Sequence, residues 1–535
     1  MRIGAFLIAF LLAATSSDAM GQAGPATRVW GEVSAGDEFE TYLRVLQSLG
    51  AVPLYPWSAR AFSPREVETL APADSGHPWA HRYSFRRSAQ RLDFVLLRPA
   101  ATFRFNSGFP YGANDGPVWA GRGLTSAVEA GMALRYRGVS LTVRPLVFRA
   151  ENVGFQLMPT GQTGRLSYAD GFYTGVFAID LPQRFGAAPY QVLDPGQSTL
   201  RLDAGGVTVG VSTANEYWGP AREYPILLGN NAAGFPHAFL GTATPVDLRV
   251  VRLHGHVLWG RLTQSEYSPE TITGGLRIAV GAVVLLTSHY VPGLEIGAER
   301  FAHRPWRTGG PTIGDVLSIF QSQYRANIGS TVRDNQLAAV FFRWVLPHSG
   351  VDVYGEYGRD DYNQNLRDLV EEPDHIGGYT VGLAKAYRSG SALRVFRAEL
   401  QDLQFSVLAQ GRVWAAFYTS GSLLQGHTER GQLLGSYAGL GGAGAIVAVD
   451  TYYPSGRWTV SWSRVLRRHR GGFASTGVAD PAGLDVMHAV SWSAVWFRGR
   501  YDLTGGVTAV YEFNRDFQRD AFNLNLSAGV RARLP

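Results

Sequence analysis

The feature that most constrains the fold of this chain is a long, strict alternation of apolar and polar residues. It is clearest at residues 522–534, where phenylalanine, leucine, alanine and valine interleave with asparagine, serine, glycine and arginine. Alternation with a period of two predicts a β-strand with one apolar and one polar face. The pattern recurs at residues 128–137, 457–464 and 501–513. A tilted membrane-crossing strand needs about 9–11 residues, whereas soluble strands usually have about five or six, so the lengths favour a membrane.

Short turns and long polar loops alternate between these segments. Arg137-Gly138 is typical of a tight hairpin, whereas residues 218–245 and 305–335 are long and rich in proline and glycine. Outer-membrane barrels have short turns at one end and long loops at the other. We therefore predict an all-β chain that forms a transmembrane antiparallel β-barrel of about 18 strands in the cell outer membrane. A soluble two-sheet protein is the alternative, but so many half-apolar strands would need too many covering layers.

The order of patterns divides the chain into three regions. Residues 1–23 have the charged start, short apolar run and small residues of a secretory signal peptide. Residues 24–98 carry helical patterns and are predicted to form a small periplasmic helical bundle that plugs the barrel mouth. Residues 99–535 are predicted to form the barrel. After residue 23, no stretch reaches the roughly 18 apolar residues that a membrane helix needs.

Three helices are predicted in the N-terminal region. Residues 37–49 place apolar side chains at helical spacing before Gly50, a typical stop signal. Residues 63–70 begin with a capping box that has proline at the first helical position. The third candidate is the arginine-rich stretch 79–92.

Composition narrows the chemistry. The chain has no cysteine, which excludes disulfides, thiolate zinc sites and a cysteine nucleophile. Lys385 is the sole lysine among 49 basic residues, so the polar surfaces carry arginine, which binds carboxylates and phosphates bidentately. A net charge of +6 without clustering argues against a nucleic-acid partner.

Familiar catalytic motifs are missing from the sequence. The single lysine does not follow glycine, no histidine precedes glutamate, and no Gly-x-Ser-x-Gly occurs. His254 and His256 share one face of a predicted strand without an evident third ligand, which favours a polar lumen or rim position over a metal site. Carboxylates at residues 356–374 fit a solvated loop, or a glycosidase pair if their separations were right. We predict no catalytic residue, metal or cofactor, and keep an enzyme acting on glycan or lipid as a third hypothesis.

One stretch has the chemistry of a carbohydrate site. A predicted strand at residues 207–214 runs into Asn215, Glu216, Tyr217 and Trp218. Aromatic rings stack on the apolar faces of sugars, and amide or carboxylate groups hydrogen-bond their hydroxyls. The same residues would equally suit an aromatic girdle and the anchoring of a loop.

Three ordered blocks resemble the capsule assembly Wzi family of outer-membrane proteins. The first block is residues 215–220, Asn-Glu-Tyr-Trp-Gly-Pro, with residues 227–232. The second is residues 353–361 with 365–368, and the third is residues 427–435. The resemblance implies a barrel of about 18 strands with a periplasmic helical bundle, acting as a lectin that helps hold capsular polysaccharide at the cell surface. The chain departs from the family at Tyr217, where tryptophan is usual, and from the usual terminal phenylalanine of barrels at Pro535.

These observations give one main hypothesis and one alternative from another class. The main hypothesis is a surface lectin for an acidic exopolysaccharide, with capsular or extracellular polysaccharide, outer-membrane lipid and the insertion machinery as partners. The alternative is an outer-membrane porin for sugars or oligosaccharides, because a barrel of this size can enclose water. The candidate saccharide-binding residues offer arginines to glycan carboxylates, rings for stacking, and amide or carboxylate hydrogen bonds: Arg222, Arg359, Arg367, Tyr217, Trp218, Tyr224, Asn215, Glu216, Asp360 and Asp361.

Overall fold

The alternating segments pair edge to edge into one closed antiparallel sheet in the computed structural model. The structure describes residues 27–28, 32–72, 76–84, 92–270, 275–322, 324, 333–362, 365–404, 416–469 and 483–533. The predicted signal peptide, residues 1–23, lies outside the described residues, as does Pro535.

Eighteen strands form the barrel, and three of them are interrupted once. They are β1 (Leu92–Asn106), β2 (Gly123–Tyr136), β3 (Val139–Val143 and Leu146–Ala150), β4 (Tyr190–Asp194 and Thr199–Ala204), β5 (Val207–Ser212), β6 (His237–Thr242 and Val246–Asp247), β7 (Val251–Thr263), β8 (Leu276–Ser288), β9 (Leu294–Pro305), β10 (Asn335–Leu346), β11 (Val351–Asp360), β12 (Gly377–Ser389), β13 (Ala392–Asp402), β14 (Ala443–Tyr453), β15 (Gly456–His469), β16 (Leu484–Arg498), β17 (Tyr501–Arg515) and β18 (Arg519–Ala532). Neighbouring strands pair in chain order, and β18 pairs with β1 to close the ring. The predicted barrel and strand number are confirmed. The first strand, β1, begins at Leu92, seven residues before the predicted start of the barrel at residue 99.

The two faces of the wall differ as the alternation predicts. Along β12, Tyr379, Val381 and Leu383 are exposed on the outer face, whereas Thr380 and Ala384 are buried on the inner face. An outward-facing apolar band of this kind is what acyl chains cover in an outer-membrane barrel. Within the described residues, no helix has both the length and the apolar character to cross a membrane.

The two ends of the barrel also differ. Two residues, Arg137 and Gly138, join β2 to β3, whereas residues 213–236 separate β5 from β6. Outer-membrane barrels place short turns in the periplasm and long loops outside the cell. Leu92 at the start of β1 and Ala532 at the end of β18 therefore lie on the periplasmic side.

Two of the predicted N-terminal helices are present. Helix α1 (Glu38–Ser48) begins where the Asp37 side chain accepts the Phe39 N–H. Helix α2 (Pro64–Thr69) begins with the predicted capping box between Ser63 and Glu66.

The third predicted helix, residues 79–92, is wrong wherever the structure describes it. Residues 77–82 form turns, and Tyr83–Ser84 is a short strand that pairs in parallel with Thr27–Arg28. The reason is tertiary, because the Trp79 ring is fully buried and its Nε1 donates to the carbonyl oxygen of Tyr453 at 2.9 Å.

The N-terminal unit, residues 32–84, packs into the short-turn end of the barrel. Both carboxylate oxygens of Glu295 on β9 accept backbone N–H groups from it, those of Trp57 at 2.7 Å and Ser58 at 3.0 Å. Arg44 of α1 lies 3.0 Å from the Asp352 carboxylate on β11. Charged wall residues thus hold this unit inside the barrel.

Candidate functional site

The loop after β5 turns inward and fills the lumen. We call residues 213–236 the inner loop; the rings of Trp218 and Tyr224 within it are completely buried. Asn215 closes its base, because the side-chain amide donates to the carbonyl oxygens of Gly229 at 3.1 Å and Ala232 at 2.8 Å. Asn215 therefore shapes the loop through its own hydrogen bonds.

Glu216 is held by two imidazoles and an indole. Its carboxylate lies 2.8 Å from Nε2 of His256 and 3.3 Å from Nε2 of His237, and it accepts Nε1–H of Trp218 at 2.9 Å. Burial alone would raise the pKa of Glu216, but the charge of His256, its hydrogen bond and the nearby His237 imidazole outweigh burial and hold the pKa well below its usual range. The carboxylate is therefore an ionised anchor for the loop and for the Trp218 ring.

Glu356 on β11 receives the turn of the inner loop. Its two oxygens accept the backbone N–H groups of Ala221 at 2.9 Å and Ile226 at 3.1 Å. Gly219 approaches the same carboxylate with a φ of +79°, a conformation that favours glycine.

Glu399 on β13 completes this attachment. It accepts the backbone N–H groups of Arg222, Glu223 and Tyr224 at 2.7, 3.0 and 2.7 Å, and the hydroxyl of Tyr354 at 2.6 Å. A carboxylate that accepts several such donors forms strong, charge-assisted hydrogen bonds. The loop backbone is thus satisfied by wall carboxylates where secondary structure is absent.

Arg222 and Tyr217 both contact residues within the barrel. The Arg222 guanidinium lies 3.1 Å from Asp352, which also binds Arg343 at 2.9 Å. The guanidinium of Arg60, from the N-terminal unit, lies 3.9 Å from the centre of the Tyr217 ring. These contacts join the inner loop to the unit that enters from the other end.

A second loop from the same end meets the inner loop. Residues 416–442 contribute His427, whose Nε2 donates to the Leu227 carbonyl oxygen at 2.6 Å, and Tyr418, whose hydroxyl donates to the Ile226 carbonyl oxygen at 2.7 Å. Burial lowers the pKa of His427 to about 4, so its ring is neutral at neutral pH. The two loops therefore interlock through neutral hydrogen bonds.

The remaining four candidate residues do not form one site. Asp360 is buried and accepts the Tyr418 N–H at 2.5 Å, while Arg359 is buried and donates to the Pro373 carbonyl oxygen at 3.0 Å. Asp361 is half-buried at the start of the next loop. Arg367 lies on a short helix, Leu366–Glu371, with 82% of its side chain exposed.

The predicted solvated loop at residues 356–374 is wrong at its start. Glu356 and Asp360 lie on β11 with buried side chains, because strand alternation turns both toward the lumen. Of the lumen and rim positions predicted for His254 and His256, the structure shows the lumen, since His254 lies 3.2 Å from Glu66 and His256 contacts Glu216. In the part of the chain that the structure describes, no three metal-ligating side chains gather.

The ten candidate residues therefore fall into two groups. Eight of them, all except Asp361 and Arg367, hold the loops or the wall together, and their contact with sugar stays a prediction. Sequence reasoning missed Glu399 and Glu295, which anchor the inner loop and the N-terminal unit. Period-two alternation marks both as inner-face residues, but it does not reveal what they bind.

Comparison with known proteins gives a family and a fold. The family model of capsule assembly protein Wzi matches residues 160–518. The chain is similar to the solved structure of Wzi from Escherichia coli, described as an outer-membrane, carbohydrate-binding β-barrel involved in group 1 capsule assembly, with 15% identity, a TM-score of 0.63, and coverage of 94% of this chain and 99% of that chain.

Weaker similarities extend to other barrels. OccK2 of Pseudomonas aeruginosa has 10% identity and a TM-score of 0.41, with coverage of 82% of this chain and 96% of that chain. A BenF-like porin from Pseudomonas fluorescens Pf-5 has 11% identity and a TM-score of 0.40, with coverage of 82% and 99%. No curated protein matches the sequence.

Proposed function

This chain belongs to the family of capsule assembly protein Wzi, and from that premise we propose that it is an outer-membrane lectin. It binds capsular or extracellular polysaccharide and assists the attachment or assembly of that polymer at the cell surface. The proposal assigns the chain a binding role and no catalytic step.

The observation that carries the proposal is the filled lumen. The N-terminal unit enters from the short-turn end, and both inward loops enter from the other end. Arg60 of the N-terminal unit donates to the Gly219 carbonyl oxygen of the inner loop at 3.0 Å, so these two segments meet inside the barrel. A lumen filled in this way opposes diffusion of sugars, and the long-loop surface is left as the place where a polymer can bind.

We assign the candidate residues two different roles. Arg367 and Asp361 lie at the long-loop end and contact the polysaccharide. The guanidinium of Arg367 suits a glycan carboxylate, which makes an acidic polymer the preferred ligand. The buried residues fix the loops that present this surface: Asn215, Glu216, Tyr217, Trp218, Arg222, Tyr224, Arg359 and Asp360.

Binding of capsular polysaccharide to the purified protein tests the proposal. The Arg367→Gln variant should bind an acidic polysaccharide several-fold more weakly, whereas Arg252→Gln, an exposed arginine at the short-turn end, should bind like the wild type. Cells lacking the protein should still make the polysaccharide but release it into the medium. Retention on such cells contradicts the proposed role.

Planar-bilayer conductance separates the lectin from the porin. A barrel filled by its own loops should give no steady current. An open, ohmic channel in the wild-type protein would favour the porin instead.

A further inference from the structure

The barrel wall is notched on one side. Strand β5 (Val207–Ser212) has only 6 residues, whereas β7 (Val251–Thr263) has 13. The last residue of β5, Ser212, pairs with His237, the first residue of β6, and His237 pairs with Gly260, three residues before the end of β7. A membrane-crossing strand needs about 9–11 residues, so the wall is incomplete where β5 and β6 stop toward the long-loop end.

A segment from another loop lies against the outer face beside this notch. We call residues 306–321 the outer segment. Trp259 Nε1 donates to its Val316 carbonyl oxygen at 3.0 Å, and Arg300 donates to its Ile319 carbonyl oxygen at 2.8 Å. Ile319 is buried against Ile278 of the outer wall. The outer segment is thus fixed to the outer face of the wall, near its long-loop end.

The outer segment presents apolar side chains to its surroundings. Ile313 is 80% exposed and Phe320 is 77% exposed, and Leu317 is also exposed. They continue the apolar outer face of the barrel, where Leu240 and Val284 are exposed as well. Lipid is therefore the surrounding medium that favours this arrangement.

Between the notch and the outer segment lies a groove of about 670 Å³. This volume is in the range of sites that hold small organic ligands. The side chains that line it are mostly apolar and include Val143, Leu200, Val211, Ala238, Trp259 and Trp306. Its shape and chemistry suit an acyl chain.

One charged residue lines the same groove. Arg261, two residues after Trp259 on β7, is exposed on the outer face. In the described part of the chain, no carboxylate pairs with its guanidinium. An arginine at the edge of an apolar groove binds phosphate oxygens bidentately while lipid tails occupy the groove.

We propose that this groove is a specific site for a phosphorylated lipid of the outer leaflet. The acyl chain lies between the outer segment and the short strands, and the phosphate binds Arg261. The site is separate from the polysaccharide surface. It would seal the notch with lipid, so that the wall is completed by the membrane itself.

Native mass spectrometry of the full-length, delipidated protein tests this proposal. The probes are lipid A with both phosphates and the same lipid after dephosphorylation. The wild-type protein should retain the phosphorylated form about tenfold more tightly, as expected for a charge-assisted contact. Arg261→Gln should remove that preference, and Ala238→Trp, which fills the groove from an exposed position, should weaken binding of both probes.

Two controls make the result decisive. Arg394→Gln removes an exposed, outward-facing arginine near the short-turn end and should leave lipid retention unchanged. Electrophoretic mobility of heated and unheated samples is compared for each variant, because a folded barrel migrates differently from the unfolded chain. Equal retention of both probes by the wild type, or unchanged retention by folded Arg261→Gln or Ala238→Trp, overturns the proposal.

Discussion

The carboxylate of Glu399, on the barrel wall, accepts the backbone N–H of Tyr224, in the middle of the inner loop, at 2.7 Å. Glu356 and Glu295 act in the same way on the inner loop and on the N-terminal unit. A buried peptide N–H without a partner costs roughly 1–3 kcal/mol, so irregular backbone inside a barrel needs acceptors of this kind. Inner-face carboxylates explain how this barrel holds loops in its lumen.

Replacing Glu399 should loosen the inner loop. Glu399→Gln is expected to lower the free energy of unfolding by about 2–3 kcal/mol. The negative charge is lost, and the amide –NH2 group of glutamine would face backbone N–H groups, which are donors themselves. Denaturant titration of the protein in lipid vesicles measures this change. Glu371→Gln, on an exposed helix, is the control and should have little effect. Equal stability of the two variants would show that Glu399 is not an anchor.

Gly281 on β8 leaves room for the Trp218 ring. A Cβ atom there would lie 2.5 Å from Cη2 of Trp218 and 3.0 Å from Cδ2 of Phe301. Gly281→Ala should therefore destabilise the protein by about 1–3 kcal/mol through overpacking. Thermal unfolding followed by tryptophan fluorescence tests this, with Gly309→Ala as the control because a Cβ atom at Gly309 meets open space.

Trp79 anchors the N-terminal unit to the short turns of the barrel. Trp79→Ala removes a fully buried ring and should cost about 3–5 kcal/mol in the stability of that unit. Limited proteolysis should then cut the N-terminal unit faster while the barrel stays intact. Trp462→Ala is the matched control, since Trp462 is 40% exposed on the outer face. Identical cleavage rates would contradict the anchoring role.

Acid should release the contact between α2 and β7. Burial alone would raise the pKa of Glu66, but the hydrogen bond and charge of His254 and the charge of Arg201 lower it from 4.5 to about 2. A depressed carboxyl pKa contributes stability above the unfolded value, about 4.5, and this contribution of about 3 kcal/mol is lost as pH falls toward 2.

Hydrogen exchange of the α2 amides measures the effect of acid. Protection should fall between about pH 5 and about pH 2, because the pKa of Glu66 is about 4.5 in the unfolded chain and about 2 in the folded protein. Glu66→Gln should lower protection at neutral pH and flatten this pH dependence. A variant with the same pH dependence as the wild type would assign the transition to another group.

Local patterns were enough for much of the architecture. The alternation at residues 501–513 and 522–534 predicts β17 and β18, and the capping box at Ser63 predicts α2. These features depend on neighbours within a few residues, so sequence periodicity and capping chemistry report them directly. The helix predicted at residues 79–92 is absent from residues 79–84, because burial of the Trp79 ring outweighs the local helical pattern.

The sequence by itself determined that this chain forms a barrel with a polar inner face, and it identified the three motif blocks. Only the tertiary structure decided that the first block, the strand part of the second block and the third block meet inside the lumen, through Glu356 and His427. From the sequence, Trp218 suits a sugar-stacking ring and a loop anchor equally well. The structure shows the ring buried inside the barrel, where it contacts Glu216, His256 and Gly281. Alternation assigns each side chain to a face, but its partner lies across the barrel, and burial there depends on long-range closure of the chain.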